Sequence, residues 1–204
     1  MDVQVAAVIA AAGSSVRMGG IKKEFRPLPV SNTSNNEKPL TVLGSALRSF
    51  ASISRITTIV IAIPAGQEEA AALALPPELR PDAKRIFFVT GGASRQASVF
   101  NALSMLENRN PSLVLIHDGA RPWITAELIE KTIDAAIVHK AVIPILPVTE
   151  TPKEGDFSGP GGTGFITRHL QRSQVGLAQT PQAFAFQQIL EAHRKAAQSE
   201  GIEF

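Results

Sequence analysis

Cysteine and tyrosine are both missing from this 204-residue chain. Without cysteine there are no disulfides, no thiolate zinc sites and no cysteine nucleophile, which suits a reducing compartment. Aromatic residues make up 5% of the chain, with one tryptophan, and no run of five or more basic residues occurs. The stacking surfaces and charge blocks that grip nucleic acid are therefore lacking, and a net charge of only +2 does not restore them. Long apolar runs are also missing, since nothing approaches the roughly 18 residues that a membrane-spanning helix needs. Val3–Ala12 is apolar but short, and Asp2 precedes it where a signal peptide would carry positive charge, so it reads as a first core strand. The expectation is a cytoplasmic protein whose partners are neither nucleic acid nor membrane.

What the chain does have is core-forming material, with 44% hydrophobic and 19% charged residues, enough for one domain spanning residues 1–204. Apolar, β-branched runs recur at Val3–Ala12, Ile56–Ile63, Arg85–Thr90, Leu113–His117 and Ala141–Val148. Between them lie helical stripes: Leu40, Leu43, Leu47 and Phe50; Val99, Leu103 and Leu106; Leu128, Ile129, Ile133 and Ile137. Thr125 reads as the cap of the last of these, and Pro181–Ser199 as a final helix. This alternation predicts an α/β fold, a Rossmann-like, mostly parallel sheet with helices on both faces. Residues 149–168 interrupt it with a polar, glycine-rich stretch without helical period. An excursion of that length in a compact domain is usually functional or part of an interface.

Ligands of such sheets sit beyond the carboxyl ends of the strands. The segments found there are Gly13–Phe25, Pro64–Gly66, Gly91–Ser98 and Asp118–Arg121. The first carries Arg17, Lys22 and Lys23 among small residues, a combination that suits a polyphosphate, although it matches neither the P-loop nor the dinucleotide glycine spacing. Gly91-Gly-Ala-Ser-Arg-Gln-Ala-Ser98 is either a tight turn with a serine cap or a second wall of a nucleotide site. His117-Asp-Gly-Ala-Arg-Pro122 is either a structural Asp–Arg turn or a place where Asp118 meets a metal-bound triphosphate, since Mg²⁺ favours carboxylate oxygen.

Taken in order, Ala11-Ala-Gly-Ser-Ser-Val-Arg-Met18, Lys23-Glu-Phe25, Gly91–Val99, His117–Pro122 and Gln179-Thr-Pro-Gln-Ala-Phe184 resemble the 2-C-methyl-D-erythritol 4-phosphate cytidylyltransferase family of the non-mevalonate isoprenoid pathway. The resemblance implies a nucleotide-diphospho-sugar transferase-like fold and a Mg²⁺-dependent transfer of CMP from CTP to methylerythritol phosphate, with pyrophosphate leaving. By motif position, Arg17 and Lys23 would stabilise the reacting α-phosphate and the leaving group. Ala11, Ala12 and Gly13, with Gly92 and Ser98, would hold the cytidine. Asp118, Gly119 and Arg121 would line the ribose, metal and acceptor region, and Thr151 and Arg172 would grip the acceptor phosphate. Residues 149–168 would form a protruding arm that embraces a second subunit, which implies a homodimer. A ribitol 5-phosphate cytidylyltransferase and a non-catalytic nucleotide-binding homologue are the alternative readings.

Some positions depart from the family pattern. The opening loop is one residue short, which leaves Lys22 as a rival to Lys23. Ala97 stands where aspartate is usual, Gly119 where alanine is usual, and Glu150 and Pro152 flank Thr151. The family's further C-terminal lysine has no counterpart before Phe204. If Arg17 meets charge that develops during transfer, Arg17→Ala should lower turnover by orders of magnitude while the thermal unfolding curve stays in place, because an exposed loop charge adds little to stability. Wild-type turnover in that variant would remove Arg17 from the chemistry.

Overall fold

The computed structural model describes residues 3–13, 22–29, 39–80 and 85–198. These fall into two compact units, one built from the chain up to Val142 together with the segment from Pro181 onwards, the other from Ile143–Thr180.

The larger unit holds a six-stranded sheet. Its first four strands in sequence are β1 (Val5–Ala10), β2 (Ile56–Ile63), β3 (Ile86–Thr90) and β4 (Leu113–Asp118). The pairs β1–β2, β2–β3 and β1–β4 are all parallel. Two later strands complete it: β5 (Ala141–Val142) and β10 (Gln182–Ala185). β10 runs antiparallel to both β4 and β5, and the spatial order is β3-β2-β1-β4-β10-β5. Strand order thus reverses between β1 and β4.

Alternation along β1 explains the layers. Val5, Ala7 and Ile9 point to one face, where they meet Leu43, Leu47 and Phe50 of α1 (Val42–Ala51) and Ile129 and Ile133 of α4 (Ala126–His139). Ala6 and Val8 point to the other face, toward Val99 and Leu103 of α3 (Arg95–Met105) and Phe186 and Leu190 of α5 (Phe186–Gln198). Both faces of the strand are covered, so a continuous apolar run, rather than an alternating one, is what the sequence shows there. A short helix α2 (Glu68–Ala74) adds Ala71 and Ala74 to the first core. Thr125 does cap α4, its hydroxyl accepting from the Leu128 N–H at 3.2 Å.

Three expectations from periodicity need correction. Ala141–Val148 is not one strand: it divides into β5 and β6 (Ile145–Pro147), which lie in different sheets and different units. The segment from Pro181 does not begin as helix, because Gln182–Ala185 pairs with β4 before α5 starts at Phe186. Leu128 is 36% exposed, and the buried stripe of α4 runs instead through Ile129, Thr132, Ile133 and Ala136.

In the smaller unit β6 pairs with β9 (Gly176–Ala178), and β7 (Lys153–Asp156) pairs with β8 (Phe165–His169), each antiparallel. The excursion expected at 149–168 is therefore largely an antiparallel ribbon. Among the described residues of the whole chain, no helix is long and apolar enough to cross a membrane.

Candidate active site

Register brings the strand ends level. Ala10 of β1 lies opposite Ala62 of β2 and Asp118 of β4, and Ile63 lies opposite Thr90 of β3. The loops that follow β1, β3 and β4 line one cavity of 610 Å³, at the place where strand order reverses. Its walls include Ala12, Gly13, Lys23, Gly92, Arg95, Ser98, Asp118 and Arg121.

Backbone hydrogen bonds hold these loops at the sheet edge. Ala11 N–H donates to the Ala62 carbonyl and Gly119 N–H to the Ala10 carbonyl, both at 2.9 Å, and Gly91 N–H donates to the Ile63 carbonyl at 2.8 Å. A Cβ on Gly91 would stand 2.1 Å from the Ala12 Cβ, so the loops after β1 and β3 approach as closely as they do only because residue 91 has no side chain. Gly92 is constrained similarly, with the Ala97 Cβ in the way. Ser98 is buried, and its hydroxyl is used within the loop, accepting from Gly92 N–H at 3.0 Å and donating to the Ser94 carbonyl at 2.8 Å. Ser94 caps α3 by accepting from Ala97 N–H.

The two lysines separate clearly. Lys22 turns back, its ammonium donating to the carbonyls of Ala12 and Gly13. Lys23 opens a short 3-10 turn, Lys23–Phe25, and lines the cavity. That turn is fixed by Phe25, which packs into the core, and by Val42 N–H donating to the Arg26 carbonyl at 2.9 Å. Glu24 also lines the cavity, and among the described residues its buried Oε2 has no hydrogen-bond partner. Arg17 lies outside the described residues.

The turn after β4 is anchored from beneath. His117 is fully buried, with its ring centroid 5.1 Å from that of Phe50 and its Nε2 3.1 Å from the Arg121 carbonyl. Ser45 and Ser49 of α1 donate to the carbonyls of Pro122 and Ile124 at 2.9 and 2.8 Å. With the backbone so held, Asp118 accepts from Arg95 Nε at 3.0 Å on Oδ1 and from Arg121 Nε at 3.0 Å on Oδ2. Burial by itself would raise the Asp118 pKa, but the guanidinium groups of Arg95 and Arg121 outweigh it and hold the carboxyl below its ordinary value.

Arg95 was legible only as part of a motif. Nothing in the pattern distinguished it from a solvated helix-start arginine, and the signal that finds it is three-dimensional, its ion pair with Asp118 at 2.8 Å. Thr151 and Arg172 belong to the smaller unit, where Arg172 Nη1 donates to the Thr149 carbonyl at 3.0 Å, two residues from Thr151.

Burial lowers the His117 pKa to about 4, so the ring is neutral at pH 7 and Nε2–H donates to Arg121. A histidine depressed below its unfolded value near 6.5 contributes stability that is fully present above that value and is lost as pH falls toward about 4. Denaturant unfolding across pH 7 to 4 should show a fall of about 3 kcal/mol from this group. His117→Gln should flatten that portion of the curve, and an unchanged slope would mean that His117 is not the titrating group.

A family model described as IspD, 2-C-methyl-D-erythritol 4-phosphate cytidylyltransferase, matches residues 5–204. A bifunctional enzyme IspD/IspF from Bradyrhizobium sp. (strain ORS 278) is 37% identical over 202 residues, which are 98% of this chain and 47% of that protein. Another from Chelativorans sp. (strain BNC1) is 38% identical over 204 residues, 98% of this chain and 46% of that one. The chain thus spans about half the length of these curated relatives. Among solved structures, the 4-diphosphocytidyl-2C-methyl-D-erythritol synthase from Anaerococcus prevotii DSM 20548 superposes with a TM-score of 0.77 at 29% identity, covering 99% of this chain and 78% of that one. The 2-C-methyl-D-erythritol 4-phosphate cytidylyltransferase from Thermus thermophilus gives 0.68 at 31% identity, covering 100% and 80%. With four of the five motifs lending residues to one basic, glycine-lined cavity and the family model spanning nearly the whole chain, the chain belongs to the 2-C-methyl-D-erythritol 4-phosphate cytidylyltransferase (IspD) family.

Proposed function

We propose that this chain transfers CMP from CTP to 2-C-methyl-D-erythritol 4-phosphate. The observation that carries the reading is the cavity at the ends of β1 and β4, where Lys23 and Arg121 face the small-residue backbone of Ala12 and Gly13. An oxygen of the acceptor phosphate attacks the α-phosphorus of CTP in line. The new P–O bond forms as the bond from the α-phosphorus to the α,β-bridging oxygen breaks, and pyrophosphate leaves with the electron pair. Phosphoryl transfer of this kind needs positioning and charge stabilisation rather than a protein nucleophile. Lys23 and Arg17 receive the charge on the α-phosphate and the leaving group. Ala11, Ala12 and Gly13, with Gly92 and Ser98, set the nucleotide against backbone, while Asp118, Gly119 and Arg121 line the ribose and acceptor side. Thr151 and Arg172 take the acceptor phosphate.

Divalent cations are common among nucleotidyltransferases, but among the described residues no three His, Cys, Asp or Glu side chains group to hold a metal. Asp118, the residue expected to meet magnesium, has both carboxylate oxygens on guanidinium groups. These residues do not fit a magnesium ion held by the protein. Magnesium is often carried by substrate phosphates while keeping several waters, and we infer that it enters on the triphosphate.

The test is pyrophosphate release from CTP and Mg²⁺ with methylerythritol phosphate and ribitol 5-phosphate offered in parallel. Release with methylerythritol phosphate alone supports the reading. Release with ribitol 5-phosphate alone keeps the chemistry and replaces the acceptor, and silence with both sinks the enzymatic assignment for this chain.

We further infer a homodimer through the smaller unit. Among its described residues only Thr180 is buried, whereas Ile145, Leu146, Phe157, Phe165, Ile166 and Leu177 are each more than half exposed. So much apolar surface on antiparallel ribbons is characteristic of an interface, and a second copy of the same ribbon satisfies it by two-fold symmetry. Sedimentation should give a dimer for the wild type and a monomer for Phe165→Asp, the residue 84% exposed on β8. A wild-type monomer at micromolar concentration would remove the dimer.

A further inference from the structure

We propose that Arg95 is a phosphate-binding residue of this cleft, and that Asp118 acts by holding Arg95 and Arg121 in place rather than as an inner-sphere ligand of a metal ion. The substrates named below rest on the cytidylyltransferase reading above.

Arg95 stands at a helix start. It is the first residue of α3, directly after the Ser94 cap. A helix N-terminus carries partial positive charge, so a guanidinium there is disfavoured unless an anion sits beside it. Asp118 supplies one negative charge, but Arg121 shares the same carboxylate. Among the described residues lining the cavity, the basic side chains of Lys23, Arg95 and Arg121 outnumber the acidic ones of Glu24 and Asp118. The Arg95 and Arg121 side chains are 51% and 45% exposed, so neither is sealed into a structural ion pair.

The Asp118 carboxylate lies between two guanidinium groups. Arg95 places Nε and Nη2 on Oδ1 at 3.0 and 2.8 Å, and Arg121 places Nε on Oδ2 at 3.0 Å. Magnesium bound directly needs a carboxylate oxygen at about 2.1 Å in a near-octahedral shell. Oδ1 already accepts from two guanidinium nitrogens, and a cation placed on either oxygen would stand against the charges of both Arg95 and Arg121. The same carboxylate instead fixes the planes of two guanidinium groups, and a pre-set planar fork is what recognises a phosphate.

The chemical class recognised is a phosphate group, supplied either by the triphosphate or by the acceptor. Inorganic pyrophosphate, titrated calorimetrically into the intact protein in EDTA and again in Mg²⁺, reads the site without requiring turnover. Arg95→Gln should weaken pyrophosphate in EDTA by roughly tenfold or more, and Arg95→Lys should fall between the two because charge is kept and the fork is lost. In Asp118→Asn, shown to be folded by circular dichroism, the gain in affinity that Mg²⁺ brings should be unchanged. Wild-type pyrophosphate affinity in Arg95→Gln would overturn the role of Arg95. Loss of the Mg²⁺ gain in Asp118→Asn would make Asp118 a metal ligand. In steady state, a KM rise for Arg95→Gln confined to CTP assigns the phosphate to the triphosphate, and one confined to methylerythritol phosphate assigns it to the acceptor. A wild-type chain that releases no pyrophosphate from CTP with either acceptor would fail the enzymatic reading, while the titrations would still decide Arg95.

Discussion

Strand β1 pairs in parallel with β2 on one side and with β4 on the other, so the loops after β1 and β4 leave the sheet side by side. The Gly119 N–H bond to the Ala10 carbonyl carries this pairing past the last strand residues. Every other part of the cleft is fitted to that junction. The loop after β3 reaches it because Gly91 has no side chain to strike Ala12. The turn after β4 is held there by His117 and by the serines of α1, through hydrogen bonds to carbonyls.

The result is a cavity with little side-chain chemistry in its floor and several cations around it. Small residues at Ala12, Gly13 and Gly92 leave room for a ligand to lie against backbone. Lys22 stabilises the shape by donating to the carbonyls of Ala12 and Gly13, which leaves Lys23 to line the cavity. The buried neutral imidazole of His117 and the ionised carboxylate of Asp118, adjacent in sequence, have separate tasks. The imidazole is desolvated and fixes the backbone, and the carboxylate stays charged because two guanidinium groups face it. Among the described residues lining the cleft, three basic side chains stand against two acidic ones, an arrangement suited to a polyanionic ligand.

Much of this was legible in the sequence, and the parts that were not share a cause. The core strands are visible because burial on both faces of the sheet demands uninterrupted apolar runs, as in Val5–Ala10 and residues 59–63. Short runs gave less. The helix expected over Pro181–Ser199 takes in the strand Gln182–Ala185 because a four-residue strand has too few residues to show a period of two. Ala141–Val148 reads as one strand, and its division between two sheets follows from which partners lie alongside it. Arg95 and Glu24 were visible only as members of motifs, since a charged side chain shows the same letter whether it is solvated or faces a carboxylate.

By itself, then, the sequence determined the α/β class, the strand ends at which a ligand would sit, the basic and glycine-rich character of the loops there, and the family. Those properties are local, written in hydrophobic period and in residue type. The tertiary structure alone decided that Lys23 rather than Lys22 lines the cavity, that the Ser98 hydroxyl closes its own loop, and that Asp118 lies between Arg95 and Arg121. The first two depend on how each loop folds back on itself, which residue type does not specify, and the last depends on elements far apart in sequence, since no local pattern encodes the distance between Arg95 at the start of α3 and Asp118 at the end of β4.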